Sequence, residues 1–382
     1  MMTKPIYLDY NATTPIDRAV AEAMLPYLTE HFGNPSGTHP YGVQARRAVK
    51  TARVQVATLL GCQPADVVFT SGGTESNNMA LKGVARAHPQ KQGHIITSAI
   101  EHPAVVEVCD WLAGQGFRIT VLPVDGFGQV DPDDLVRAMT PDTLLVTIMQ
   151  ANNEVGTIQP VAALAEIAHA HGALFHTDAA QAVGKIPTRV EELGVDLLSV
   201  AGHKLYAPKG IGALYIREGV RLPNLLHGAG QEGGRRPGTE NVLEIVGLGK
   251  ACEEADHNPE AEHARLRMLR DHLHAALVDA LGEDRVRLNG HLEHRLPNTA
   301  SLSFRNVEAN VLLAEINEAV AASAGAACHA DSVSISSVLQ AMAVPVDWAM
   351  GTVRFSVGRP TTPDEIDRVV TVVAEAVRRL AR

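Results

Sequence analysis

Cysteine is scarce in this chain: Cys62, Cys109, Cys252 and Cys328 are all there are in 382 residues, and no two form a CxxC pair. A disulfide scaffold or a zinc ribbon needs paired cysteines, so both are excluded and a reduced, cytoplasmic thiol protein is expected. Basic charge is short as well. Lys and Arg number 33 against 43 Asp and Glu, for a net charge of −10 and a pI near 5.9. Nucleic acid and anionic membrane surfaces call for a basic face, so neither is an expected partner. No apolar run reaches about 18 residues, which removes the transmembrane-helix reading. Residues 1–10 show no apolar signal core and no cleavage site, so nothing marks the chain for export. Internal repeats and low-complexity tracts are missing too.

What is present has ordinary globular composition, 46% hydrophobic and 20% charged. The length suits two domains. Short apolar runs at 67–70, 94–97, 118–123, 144–149, 174–177, 197–200 and 212–216 alternate with Ala/Leu-rich segments. That is the βαβ rhythm of a mostly parallel sheet covered by helices, and ligands of such sheets sit beyond the strands' carboxyl ends. A boundary is expected near 246–250, giving a large domain over 15–247 and a small one built from 1–14 and 248–382. Leu266, Leu269, Leu273, Leu277 and Leu281 share one face of an amphipathic helix there, with Arg265, Arg267, Arg270 and Asp271 off that face. Strands near 295–304 and 353–357 and a last helix from Thr362 suggest a smaller α+β unit. The histidines between His257 and His294 lack the one-turn spacing of a zinc helix and read as solvated surface residues.

Seven segments could carry chemistry. Thr70-Ser71-Gly72-Gly73-Thr74-Glu75-Ser76-Asn77 joins a strand to a helix, where glycines and free N–H groups suit an anion. The plain alternative is a junction capped by Thr74. His102, after Glu101, could stack on a flat ring or move a proton. Asn152 and Asn153 are either turn-formers or hydrogen-bond donors to a polar ligand. Asp178, ending a buried strand before Gln181, needs a cationic partner such as a protonated pyridine. Lys204 follows a buried strand, flanked by Gly202 and His203. Burial would favour its neutral amine, the form that condenses with carbonyls. Cys328 lies in a Ser/Ala-rich stretch and reads as an accessible thiol on a mobile loop, next to His329. The other three cysteines read as filler. Arg354, in an alternating strand pattern, is either a carboxylate clamp or part of an exposed face. Together these describe a pyridoxal phosphate enzyme acting on an amino acid, with a sulfur step added.

On these motifs the chain resembles the cysteine desulfurases among the class V aminotransferases. The likeness runs from Tyr7-Leu8-Asp9-Tyr10-Asn11-Ala12-Thr13-Thr14-Pro15 and Phe32-Gly33-Asn34-Pro35-Ser36, through Gly202-His203-Lys204 and Arg236-Pro237-Gly238-Thr239-Glu240-Asn241, to Arg354 and Arg359. The resemblance implies fold type I of the pyridoxal-phosphate-dependent transferases, an α/β fold: a large domain with a mostly parallel sheet and a smaller α+β C-terminal domain carrying the cysteine. It implies Lys204 as the lysine joined to pyridoxal 5′-phosphate, His102 stacked on its ring, Asp178 on the pyridine nitrogen and Gln181 on the phenolic oxygen. Gly73, Thr74 and His203 would hold the phosphate, with Thr239 supplied across a homodimer. Asn11, Asn153 and Arg354 would hold the substrate, and Cys328 would accept its sulfur.

The implied reaction turns L-cysteine into L-alanine and a persulfide on Cys328, for delivery to a sulfur-acceptor protein such as an iron–sulfur scaffold. Four features depart from the pattern. Ala201 stands where a phosphate-binding serine is expected, and Ile335 where proline is frequent. Gly325-Ala326-Ala327-Cys328-His329-Ala330-Asp331 looks closer to selenocysteine lyases, which makes selenocysteine the alternative substrate. A C-terminal tail that contacts the scaffold in similar enzymes is not expected after Arg382. A plain aminotransferase with Cys328 incidental is the remoter alternative.

Overall fold

Every one of the seven apolar runs becomes a strand of one sheet. The structure, a computed structural model, describes residues 4–88, 93–329 and 332–381, with 326–329 and 332–334 described by their backbone alone. After β1 (Ile6–Tyr7), which stands apart, come β2 (Val67–Thr70), β3 (His94–Ser98), β4 (Arg118–Leu122), β5 (Thr143–Thr147), β6 (Leu174–Asp178), β7 (Leu197–Ala201) and β8 (Gly212–Ile216). Their order in space is β2-β8-β7-β6-β5-β3-β4. Only β8 runs against its neighbours; the other pairings are parallel.

Adjacent residues on a strand enter opposite cores. Phe69, Ile96, Val146, Phe175 and Leu198 pack on one face, and Val68, Ile95, Leu145, Leu197 and Leu214 on the other. With both faces buried, the inner strands read as mostly continuous apolar runs rather than alternating ones, and only the edge strand β4 is largely exposed. The helices Gly73–Ala87 and Pro103–Gly114 cover the second face, and Pro40–Leu60, Val161–Ala170 and Val242–Asp256 the first.

The later strands are β9 (Val286–Asn289), β10 (Thr299–Phe304), β11 (Val320–Ala321), β12 (Ser323–Ala324), β13 (Ala326–His329), β14 (Ser332–Ile335) and β15 (Thr352–Ser356), and a second core forms around β9, β10, β11, β12 and β15. Four of these make an antiparallel sheet in the order β12-β15-β10-β9. Helices Pro259–Leu281, Ala309–Ile316 and Pro363–Leu380 pack on it. Ile6 and Leu8 join this core, and β1 pairs with β11. The expected boundary at 247/248 falls inside the helix Val242–Asp256. Its buried residues Ile245, Leu248, Ala251, Cys252 and Ala255 belong to the first core, so the change of core comes after that helix.

Three local expectations are corrected. Arg270, expected on the polar face, is only 4% exposed. It is accommodated because Nη1 donates to the Leu296 carbonyl at 2.7 Å and Nε to Asp271 at 2.8 Å. His263 and His274 are half-buried rather than solvated, and burial lowers both pKa values. The Cys328 stretch is no open loop in its backbone. It pairs as the hairpin β13–β14, Cys328 opposite Val333, where main-chain N–H and C=O groups satisfy one another.

Candidate active site

The carboxyl ends of β5, β6 and β7, the start of the helix Gly73–Ala87, residues 11–12 and Arg354 of β15 enclose a cavity of about 220 Å³. At one end Gly72, with φ +146°, turns β2 into the helix. It caps that helix with no side chain, and Thr74 is not the cap but the second helical residue. The N–H groups of Gly73 and Thr74, both lining the cavity, therefore have no side-chain acceptor among the described residues. Uncapped N–H groups at a helix start attract an anion. A Cβ on Gly73 would meet the Ala201 Cβ at 3.2 Å, so the helix start and the end of β7 lie in contact and Ala201 lines the cavity.

Asp178, at the end of β6, is 6% exposed. Its Oδ2 accepts from Asn77 Nδ2 at 2.7 Å and its Oδ1 from the Ala180 N–H at 2.9 Å. No cation pairs with it among the described residues, although it faces the cavity. His102 also lines the wall. As N-cap of the helix Pro103–Gly114, its Nδ1 accepts from the Ala104 N–H at 3.1 Å, which leaves the proton of the neutral ring on Nε2. Burial is the main cause lowering its pKa. Glu101 behind it holds β3 to β5, accepting from the Ser98 hydroxyl and the Met149 N–H, and burial pushes its pKa up to about 8.

Lys204 sits on the turn after β7. Its Nζ donates to the carbonyls of Asn11 at 2.6 Å and Ala12 at 2.7 Å. Burial first, and Arg354 second, bring its pKa down to about 8. At neutral pH a usable fraction is then the free amine. His203 bonds Thr13 Oγ1 at 3.1 Å, and burial with the nearby lysines lowers it to about 4. Gln181 donates to the Asn11 carbonyl at 2.8 Å, so that one carbonyl takes both the amide and the reactive amine.

Arg354 is not on an exposed face. Its side chain is 11% exposed and donates to Asp9 at 2.7 Å and to the Asn153 carbonyl at 3.0 Å, while Nε is buried without a partner among the described residues. The paired asparagines divide their work. Asn152 is the turn-former, its Oδ1 accepting from the N–H groups of Glu154 and Val155. Asn153 lines the cavity, and its carbonyl also takes Asn11 Nδ2 at 3.2 Å.

Two expected residues stand apart. Thr239 is exposed and lines a different depression, on a loop tied down by Arg236 and Glu75 at 2.9 Å. The side chain of Cys328 lies outside the described residues. Its hairpin nevertheless has both feet beside the cavity: Ser323 of β12 pairs with Arg354, and Ser336, just past β14, donates to Glu154. Cys62, Cys109 and Cys252 are pushed up to about 12 by burial and are not thiolates. Asp9, the Arg354 partner, and Asn77, the Asp178 partner, were not singled out in the sequence. Asp9 lies inside Tyr7–Pro15, and Asn77 falls one helical turn after Thr74, on the same face.

A flat, phosphorylated pyridine aldehyde fits this donor set. The uncapped helix start suits its phosphate, the uncompensated buried carboxylate its protonated nitrogen, and the depressed amine its aldehyde. A mostly parallel sheet with these groups at its strand ends defines a class of pyridine-cofactor transferases, and the chain belongs to the aminotransferase class-V family, whose model matches residues 6–369. More particularly, it is similar to the cysteine desulfurase IscS of Dictyoglomus turgidum, 48% identical over 380 residues, or 99% of this chain and 96% of that protein. A solved NifS-like protein superposes with a TM-score of 0.92 at 38% identity, covering 99% of this chain and 100% of that one. A structure described as SspA in complex with cysteine superposes at 0.82 with 37% identity, covering 93% and 99%.

Proposed function

We propose that the protein is a pyridoxal 5′-phosphate-dependent cysteine desulfurase that moves sulfur from L-cysteine to Cys328 and releases L-alanine. The observation that carries this reading is Lys204, an amine brought to about 8 at a strand end, in one cavity with the buried carboxylate of Asp178. The cofactor, when bound, supplies an aldehyde for amines and a ring that accepts an electron pair.

The chain's own residues do the rest. Gly73, Thr74 and His203 hold the phosphate, Asp178 keeps the ring nitrogen protonated, His102 covers the ring and Gln181 donates to its phenolic oxygen. Arg354, Asn153 and Asn11 take the substrate carboxylate. Lys204 would take the proton from the substrate Cα. The Cys328 thiolate then attacks the substrate sulfur: a sulfur–sulfur bond forms, the carbon–sulfur bond breaks, and its electron pair stays with the carbon fragment that is protonated to alanine.

Supporting this assignment are the desulfurase names of the relatives and the hairpin footed beside Arg354. In this reading the large unit runs through Asp256, and the small unit, with residues 1–14, presents Cys328. Exposed Thr239 serves the phosphate of a second copy in a homodimer, and a sulfur-acceptor protein unloads the persulfide. The chain holds no helix long and apolar enough to cross a membrane among the described residues, in keeping with action in the cytoplasm.

The test is mass. After incubation with pyridoxal phosphate and L-cysteine, the intact protein and its tryptic peptide containing Cys328 gain one sulfur atom. Cys328→Ser keeps the visible absorbance but gains none; Lys204→Ala loses both absorbance and turnover. Sulfur gain in Cys328→Ser moves the nucleophile elsewhere. Alanine release from selenocysteine alone would make the enzyme a selenocysteine lyase.

A further inference from the structure

The turn after β6 carries a second buried amine that the proposed chemistry does not use. Gly184, at φ +76°, reverses the chain where a Cβ would meet those of Ala255 and Leu205 at 3.2 and 3.5 Å. The reversal brings Lys185 back against Gln181. Lys185 is 7% exposed, and no carboxylate lies within ion-pair distance of it among the described residues. Burial and two cations, Lys204 on the turn after β7 and Arg354 on β15, drive it toward the uncharged form. Its side-chain partner is the carbonyl oxygen of Gln181, at 2.7 Å.

That contact has a directional consequence. The two ends of an amide are nearly alike in shape, and hydrogen-bond partners decide which way it points. Two contacts hold this amide: the Asn11 carbonyl, which can only accept, takes Nε2, and an amine hydrogen of Lys185 given to Oε1 holds the carbonyl on its own side. Nε2 then faces the Asn11 carbonyl at 2.8 Å and keeps one further hydrogen, while Gln181 lines the cavity. Gln181 can therefore donate into the cavity but cannot accept from it.

We propose that Lys185 is a positioning residue: by holding the Gln181 carbonyl, it makes that amide an obligate hydrogen-bond donor to the phenolic oxygen of bound pyridoxal phosphate. This rests on the cofactor reading above. Neutrality is part of the design, because a lasting charge at this point would face Lys204 and Arg354.

The test is the pH titration of the visible absorbance of the reconstituted protein. A donor to the phenolic oxygen stabilises its negative form. In Lys185→Met the amide keeps only its contact to the Asn11 carbonyl and its Oε1 is left unpaired, so the donor is held less firmly and the titration midpoint rises by about one pH unit. In a Gln181→Leu background the same change adds nothing. Lys185→Arg keeps a donor but brings a permanent charge, and lowers the midpoint; it gives the answer if Lys185→Met does not fold. A midpoint in Lys185→Met equal to wild type, an equal shift in the Gln181→Leu background, or a raised or unmoved midpoint in Lys185→Arg overturns the proposal. Wild-type protein that shows no titrating band with added cofactor overturns the cofactor reading itself, a result separable from all of these.

Discussion

Replacing Arg354 should slow the capture of cofactor by Lys204, although Arg354 is assigned to the substrate. Free lysine titrates near 10.4, so at pH 7 only about 0.04% is neutral. With the Lys204 pKa at about 8, the neutral fraction at that pH is about 10%, a gain of more than a hundredfold. Burial is the larger cause and Arg354 the next; Asp9 and Asp178 work in the opposite direction. Arg354→Gln removes a like charge and leaves Asp9 without its partner at 2.7 Å. Both changes raise the amine's pKa, together on the order of one unit, and lower its neutral fraction at pH 7 about tenfold. Asp9→Asn removes a charge that favours the ammonium form and acts oppositely. The assay mixes apo protein with pyridoxal phosphate and follows the rise of visible absorbance from about pH 6 to about pH 10, where the second-order rate tracks neutral amine. The rate midpoint should move up in Arg354→Gln and down in Asp9→Asn. A shift of the same sign in both, or no shift in Arg354→Gln, refutes the electrostatic account of Lys204.

Two further outcomes concern stability. Glu101 titrates at about 8 in the folded chain and near 4.3 unfolded, so between those values the native state binds the extra proton and stability falls as pH rises. Glu101→Gln should flatten that slope and be the more stable protein above pH 8, by up to a few kcal/mol; parallel denaturation curves for the two proteins across the window would rule this out. Among the described residues Asp271 alone pairs with buried Arg270 and Arg295, at 2.8 and 3.0 Å. Asp271→Asn should destabilise by on the order of 2 kcal/mol, discounted for the half-exposed carboxylate, and an unchanged urea midpoint would contradict it.

The main sheet was legible because its inner strands are covered on both sides and are therefore mostly apolar, while the edge strand β4, with Arg118 and Val121 exposed, was marked by its β-branched residues. The site residues were legible for the related reason that polar groups such as Asp178 and Lys204, placed directly after such runs, would be costly without a task. What escaped depends on partners far apart in the chain. Arg270 is polar by type, and its carbonyl acceptor on Leu296 could not be read from helical periodicity. Asp9 reaches Arg354 across nearly the whole sequence, and Lys185 matters only through an amide that a Gly184 reversal brings to it. Thr74 resembled a cap because its side chain suits one, whereas the backbone angle of Gly72 put the helix start earlier. The small residues around Cys328 read as a mobile loop, whereas main-chain pairing makes the stretch a hairpin.

The segment from β1 to Ala12 has a consequence for biogenesis. It is synthesised before its partners: β1 pairs with β11, and the Asn11 N–H rests on Ser356 Oγ at 2.9 Å. The wall that receives the Lys204 amine is thus closed only after Ser356 has been made. A growing chain that has passed the last strand of its seven-stranded sheet still lacks this side of the cavity, whose lining joins residues 11–12 to Arg354.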